Sequence, residues 1–380
     1  MSAPFTLPDF PWDTLRPYAD LARRHPGGIV DLSVGTPVDP TPELLQRALA
    51  AASDAPGYPT TVGTPALREA VCGWFARRRA VPGLRPEGVI PTIGSKELVA
   101  WLPTLLGLGR GDLVGLPAVA YPTYDVGARL ARATPVVVDL DDLPTRPREI
   151  PALVWVNSPS NPTGAVLGLA QLRAVVEWAR SHGVVVASDE CYAELDWRPQ
   201  EQREGLVATP SILHPQVCGG SHEGLLAVYS LSKQSSLAGY RAAFVAGDES
   251  LVGQLLEVRK HAGMMVPGPV QAVLTVALGD DAHVADQRER YRRRREILLP
   301  ALARAGLRVD RSEAGLYLWA TRTADVDGAQ APCWETTRWL ADRGILVAPG
   351  SFYGDAGRRH IRMALTASDE RIARAAERLG

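Results

Sequence analysis

Between about residue 60 and residue 270, short runs rich in Val and Ile alternate with stretches of helical period. A strand that is apolar along its whole length is buried on both faces, and that condition is met by a parallel sheet covered by helices. The runs LVGLP (113–117), TPVVVDL (134–140), ALVWVN (152–157), GVVVASDE (183–190) and GLLAVYSLS (224–232) fit such strands. ALREAVCGWFARRRA (66–80), LAQLRAVVEWARSHG (169–183) and ESLVGQLLEVRKHA (249–262) fit the crossover helices between them. The fold class expected is α/β.

Beyond this region, a basic helix around 288–306 leads into the shorter strands GLYLWAT (315–321) and ILVAPG (345–350) and a terminal helix, which reads as a second, α+β lobe. The stretch up to about residue 40 has too little pattern to stand alone, so it is expected to wrap onto that lobe or onto a partner subunit. The segment RPQEQREGLVATPSILHPQ (198–216) is polar and mixed and reads as a surface insertion.

A formal charge of −1 gives no electrostatic reason for a nucleic-acid partner or an anionic membrane surface. The arginine run at 288–295 is offset by Asp286, Glu289 and Glu296 and reads as a solvated helix face. No run reaches the roughly 18 apolar residues of a membrane-spanning helix. The first residues, MSAPFTLPDFPWDTLRP, carry acids and prolines where an export signal needs a basic start and an apolar run. Cys72, Cys191, Cys218 and Cys333 lack metal-site spacing, so no metal is expected. A reduced, cytoplasmic protein acting on small molecules is the expectation.

The chemistry concentrates in NPTG (161–164), DECY (189–192), SLSK (230–233) and Arg241, each expected at or just after the end of a strand, the edge where parallel α/β folds bind ligands. The lysines of the chain are Lys96, Lys233 and Lys260. Lys233 follows an apolar strand, where burial disfavours the charged form and leaves an amine able to condense with an aldehyde. Lys96 is the rival, but it opens a helix, which stabilises anions rather than a neutral amine, and Lys260 lies on a helix with no nearby acid expected.

A pyridine aldehyde needs an acid beside its ring nitrogen, a role open to Asp189; a strand-end aspartate is otherwise a turn or cap acid. Asn161 and Tyr192 offer an amide and a phenol for a ring oxygen, although NPTG alone is a good turn sequence. A phosphate needs clustered donors: Gly94, Ser95 and Lys96 at a helix start form one set, and Ser230 and Arg241 around Lys233 another. Tyr121 could stack on a flat ring or simply pack. Arg362, between Ile361 and Met363 in an expected strand, is either an edge residue or a bidentate carboxylate clamp.

In order and local context, Asn161, Asp189, Tyr192, Lys233, Arg241 and Arg362 resemble the fold-type I aminotransferases of class I/II, over nearly the whole chain. The resemblance implies pyridoxal 5'-phosphate held by Lys233 as a Schiff base, amino-acid and 2-oxo-acid substrates, and a homodimer with Tyr58 reaching the partner's phosphate site. It also places Gly35 near the substrate carboxylate, and implies a large cofactor domain at 41–280 with a smaller domain formed by 1–40 and 281–380. The residues between Pro117 and Tyr121 depart from the commoner family spacing. Within the family, SLSKQSSLAGYR (230–241), RKHAGMMVPGPVQA (259–272) and SEAGLYLWAT (312–321) resemble succinyldiaminopimelate aminotransferases of actinobacterial type, which serve the diaminopimelate and lysine pathway. Aminotransferases for other amino acids and carbon–sulfur lyases on the same scaffold share nearly every motif. A regulator that only binds the cofactor is disfavoured by the intact lysine, acid and arginine.

Overall fold

The computed structural model describes residues 7–146, 148–322 and 332–380; the first six residues of the segment inspected for an export signal lie outside it. In chain order, β1 (Val30–Asp31) precedes seven strands that form one sheet. These are β2 (Val89–Ile93), β3 (Leu113–Leu116), β4 (Thr134–Val137), β5 (Leu153–Asn157), β6 (Val185–Asp189), β7 (Leu225–Ser230) and β8 (Ala242–Gly247). The remaining strands are β9 (Leu307–Val309), β10 (Tyr317–Arg322), β11 (Ile345–Leu346), β12 (Ala348–Pro349) and β13 (His360–Ala364).

The seven-stranded sheet has the order β2-β8-β7-β6-β5-β3-β4. All its pairings are parallel except the two made by β8. Its central strands are buried on both faces, as their unbroken apolar runs require. Side chains alternate between faces. Val154 and Val156 therefore pack with Trp74, Phe75 and Val175, while Leu153 and Trp155 pack on the opposite side with Leu98, Val99 and Tyr124. The covering helices start and stop on local signals. Helix Pro65–Arg79 is capped by the Thr64 hydroxyl, which accepts from Leu67 N, and helix Leu169–His182 ends at Gly183 with φ +68°.

The second sheet, β12-β13-β10-β9, is antiparallel. Register places Trp319 opposite Arg362 and Leu318 opposite Met363, so Tyr317, Trp319 and Arg362 share one face while Leu318, Ala320, Ile361 and Met363 share the other. The latter face joins a core with Leu298 and Leu302 of helix Ala282–Arg304 and Ile372 of helix Asp369–Leu379. Leu15 and Ala19 of the N-terminal segment pack against Leu346, Trp334 and Phe352. Among the described residues no helix is long and apolar enough to cross a membrane.

Three expectations are corrected. The run 345–350 is two short strands with different partners, β11 lying parallel to β1 and β12 antiparallel to β13. The segment 198–216 is not a surface insertion throughout: Ile212 and Leu213 are fully buried in the main core, an apolar pair hidden within a polar composition. Nor is the arginine run wholly a solvated face, because Arg294 is 2% exposed and bonds Asp39 and Asp369 at once, tying the segment after β1 to the terminal helix.

One buried ion pair braces the edge of the main sheet. Arg79 Nη2 donates to Glu190 Oε2 at 2.9 Å, and Glu190 Oε1 accepts from Ile212 N and the Ser211 hydroxyl. Removing one member of such a pair strands the other charge in a medium that cannot solvate it, which costs about 3–5 kcal/mol. Glu190→Ala is expected to lower unfolding stability by that amount in urea titration, and a loss near zero would show that Arg79 finds water or another partner.

Candidate active site

Since β8 alone runs against its neighbours, its start meets the ends of β2, β5, β6 and β7 at one sheet edge. Arg241, expected at the end of a strand, instead immediately precedes β8, and the antiparallel direction still delivers it to that edge. There it joins Gly94 and Ser95 after β2, Asn161 in the turn after β5, Asp189 at the end of β6 with Tyr192 beyond it, and Ser230 and Lys233 at and after the end of β7. Gly94 has φ +73°, and a Cβ there would fall 2.0 Å from Arg241 Nη2, so glycine alone lets the guanidinium lie across this turn.

Asp189 is buried and accepts from the Tyr124 hydroxyl at 2.8 Å and from Cys191 N at 3.2 Å. Burial raises its carboxyl pKa, and these bonds oppose the rise. Tyr124 is itself fixed by stacking on Trp155 with centroids 4.8 Å apart. Asn157 locks the neighbouring turn, donating to the carbonyls of Pro159 and Asp189 and accepting from Asn161 N at 2.7 Å. Asn161 Oδ1 in turn accepts from Arg362 Nη1 at 3.0 Å.

Arg362 is 2% exposed; its Nη2 donates to Ser33 O at 2.7 Å, while its Nε has no partner. Its guanidinium lies 3.9 Å from the Tyr317 ring centroid, 5.1 Å from that of Tyr353 and 5.9 Å from that of Trp12. Lys233 Nζ donates to the Gly35 carbonyl. Burial lowers the Lys233 pKa; Arg362 and Arg241 push the same way, while Tyr317 and Cys191 oppose them. Gly35 is required at its position, since a Cβ would fall 2.1 Å from the Tyr317 hydroxyl. The Tyr192 and Tyr317 hydroxyls are 3.2 Å apart.

The remaining candidates are less central. Tyr121 packs edge-on against Tyr124 at 5.8 Å, and burial pushes its hydroxyl pKa up to about 12. Ser230 Oγ donates to Ser232 Oγ at 2.8 Å. Lys96 turns toward the N-terminal segment, its Nζ 5.5 Å from the Phe10 ring centroid. Tyr58 is 97% exposed and makes no hydrogen bond to these groups among the described residues. Lys260, expected without an acid nearby, pairs with Glu257 at 2.7 Å. Tyr124, Asn157, Tyr317 and Tyr353 were not singled out by sequence. Asn157 carried a readable signal, a polar residue closing an apolar strand, and Tyr124 stood in the same AYPTY motif as Tyr121.

The donor set fits pyridoxal phosphate. Lys233, Arg241 and Arg362 make no ion pair with a carboxylate among the described residues, and Asp189 ends β6 at the edge that bears Lys233 and Arg241, which suits an anionic ligand bearing a cationic ring nitrogen.

Fold and site define a fold-type I pyridoxal-phosphate enzyme. The chain belongs to the family of class I and II aminotransferases, whose model matches residues 28–379. It is 60% identical to a Mycobacterium tuberculosis protein described as a probable aminotransferase, over 98% of this chain and 85% of that one. It is 55% identical to the 4-dedimethylamino-4-oxo-anhydrotetracycline transaminase OxyQ of Streptomyces rimosus, over 98% of this chain and 99% of that one. Among solved structures, a probable N-succinyldiaminopimelate aminotransferase of Thermus thermophilus superposes with a TM-score of 0.83 at 29% identity, covering 97% of this chain and 99% of that one.

An amine whose pKa is lowered stays neutral, and so nucleophilic, at lower pH than a free lysine. The rate at which the protein takes up pyridoxal phosphate, followed by absorbance, is expected to rise with pH through a midpoint below the ordinary lysine value of about 10.4. A midpoint at or above that value would contradict the burial argument.

Proposed function

We propose that this aminotransferase exchanges the amino group of N-succinyl-LL-2,6-diaminopimelate with 2-oxoglutarate, each substrate held by its α-carboxylate at Arg362. The observation that carries the carboxylate assignment is Arg362 itself: a buried guanidinium whose described partners are an amide oxygen, a carbonyl and aromatic faces, and whose Nε is unpartnered. An uncompensated buried cation is costly, and an incoming carboxylate offsets that cost through charge-assisted bonds. The long substrate with three carboxylates is supported by the likeness to the Thermus thermophilus structure and by the motifs at 230–241 and 312–321.

In this reading Lys233 anchors the cofactor covalently, Asp189 faces the ring nitrogen, and Asn161 and Tyr192 face the ring oxygen. Ser95, Ser230 and Arg241, with the amides after Gly94, take the phosphate, with Lys96 and Tyr121 at the margins. Tyr58 of the partner subunit completes the phosphate site in a homodimer. Gly35 and Asn161 border the substrate carboxylate. When bound, the cofactor supplies an electron-withdrawing ring that tolerates the charge left when the substrate α-carbon loses its proton. Lys233 Nζ, whose pKa burial lowers, would take that proton and return it. Asp189, already held by Tyr124 and Cys191 N, keeps the ring nitrogen protonated.

A second reading, in which the amino acceptor is a ketone on a fused-ring skeleton, is favoured by the 55% identity along nearly all of the Streptomyces rimosus transaminase. A panel separates the two: purified enzyme is loaded with amino donor and offered either class of acceptor. Preference for N-succinyl-2-amino-6-oxopimelate supports the first reading, and preference for the polycyclic ketone overturns it while leaving transamination intact. Lys233→Ala is expected to abolish turnover and the visible absorbance of the bound cofactor. Arg362→Leu is expected to lower kcat/KM for glutamate by roughly 100-fold or more, the worth of two charge-assisted bonds; an unchanged value would place the carboxylate elsewhere.

A further inference from the structure

The Tyr192 and Tyr317 hydroxyls, 3.2 Å apart, are buried, and either can donate to the other. A phenol has one proton, so the hydroxyl that donates within the pair has nothing left to offer elsewhere. The surroundings of Tyr317 are tightly set. Its hydroxyl abuts Gly35, where no side chain would fit, and the Gly35 carbonyl is the acceptor of Lys233 Nζ. Its ring face carries the Arg362 guanidinium at 3.9 Å. Tyr317 is 5% exposed, packed against both Gly35 and the Arg362 guanidinium.

We propose that Tyr317 is a positioning residue that sets the direction of the Tyr192 proton: Tyr317 donates to the Tyr192 oxygen, and the Tyr192 proton is thereby left for the ring oxygen of the cofactor. The inference rests on the place given to Tyr192 in the proposed function. Loss of the Tyr317 proton reverses the bond, since Tyr192 then donates to the phenolate and is withdrawn from the cofactor.

The charged and titratable groups facing Tyr317 come from several elements: Arg362 on β13, Lys233 after β7, Asp189 and Tyr192 at and after the end of β6, and Tyr121, Tyr291 and Tyr353 from further segments. Burial alone would raise its pKa, yet Arg362, Lys233 and the bond from Tyr192 outweigh burial and hold it below the ordinary tyrosine value. Burial pushes the Tyr192 hydroxyl well above that value. Tyr317 is accordingly the member of the pair that ionises first as pH rises.

The test has two arms. In the full chain without cofactor, tyrosinate absorbance is titrated; one tyrosine is expected to ionise below about 10. Tyr317→Phe, which keeps the ring over Arg362, is expected to delete that step, and Tyr192→Phe to move it upward. In the loaded enzyme, the alkaline fall of kcat/KM for glutamate is expected to shift to higher pH in Tyr317→Phe. Persistence of the early tyrosinate step in Tyr317→Phe, or an alkaline limb that stays in place, overturns the inference. Should Tyr317→Phe fail to fold, an early step that Tyr192→Phe leaves unmoved overturns it equally. Failure of the proposed function would show separately, as absence of cofactor uptake or of amino transfer in the wild-type chain.

Discussion

Lys233 and Arg241 at the edge of the main sheet, where Asp189 ends β6, and Arg362 on β13 lie close enough together that both arginines add to burial in lowering the pKa of Lys233. A buried charge is stable only when paired, so Arg362, 2% exposed and without a matching acid among the described residues, stores an imbalance for a ligand to relieve. On the proposed reading, the ligand that relieves it is anionic at a phosphate and a carboxylate and cationic where it would meet Asp189. Elsewhere in the core the chain does the opposite. Arg79 is matched by Glu190, Arg259 by Glu97, and Arg294 by Asp39 and Asp369. These charge-matched arginines contrast with Arg362, whose described hydrogen-bond partners, Asn161 Oδ1 and Ser33 O, carry no charge.

Packing makes the imbalance sustainable. The antiparallel β8 brings Arg241 to the edge where parallel strands end, and Gly94 leaves room for its guanidinium. Register between β10 and β13 sets Arg362 on the same face as Tyr317, whose ring covers it. Asn157 fixes the turn bearing Asn161, and the Tyr124–Trp155 stack aims a hydroxyl at Asp189. Each device uses residues from distant parts of the chain, so the geometry is a property of the whole sheet.

The main sheet was legible because its buried parallel strands write themselves as unbroken apolar runs, and the edge residues follow those runs directly. Asp189, Lys233 and Asn161 could be named for that reason. Tyr317 and Tyr124 could not, since their value lies in contacts with Tyr192 and Asp189 made across elements, and in sequence they look like ordinary packing aromatics. Composition misled in two places. Ile212 and Leu213 sit in a polar stretch yet enter the core, and Arg294 belongs to a charged run yet is buried between two aspartates. In both cases a local average concealed residues whose environment is set by tertiary contacts.

The central claim is that Lys233 is the amine that joins the cofactor, among the three lysines of the chain. Protein incubated with pyridoxal phosphate is treated with borohydride, which converts a carbon–nitrogen double bond into a stable single bond, then digested and analysed by mass spectrometry. The expected result is a phosphopyridoxyl mark on the peptide containing Lys233. A mark on Lys96 or Lys260 instead, or no mark on any of the three, would contradict the account.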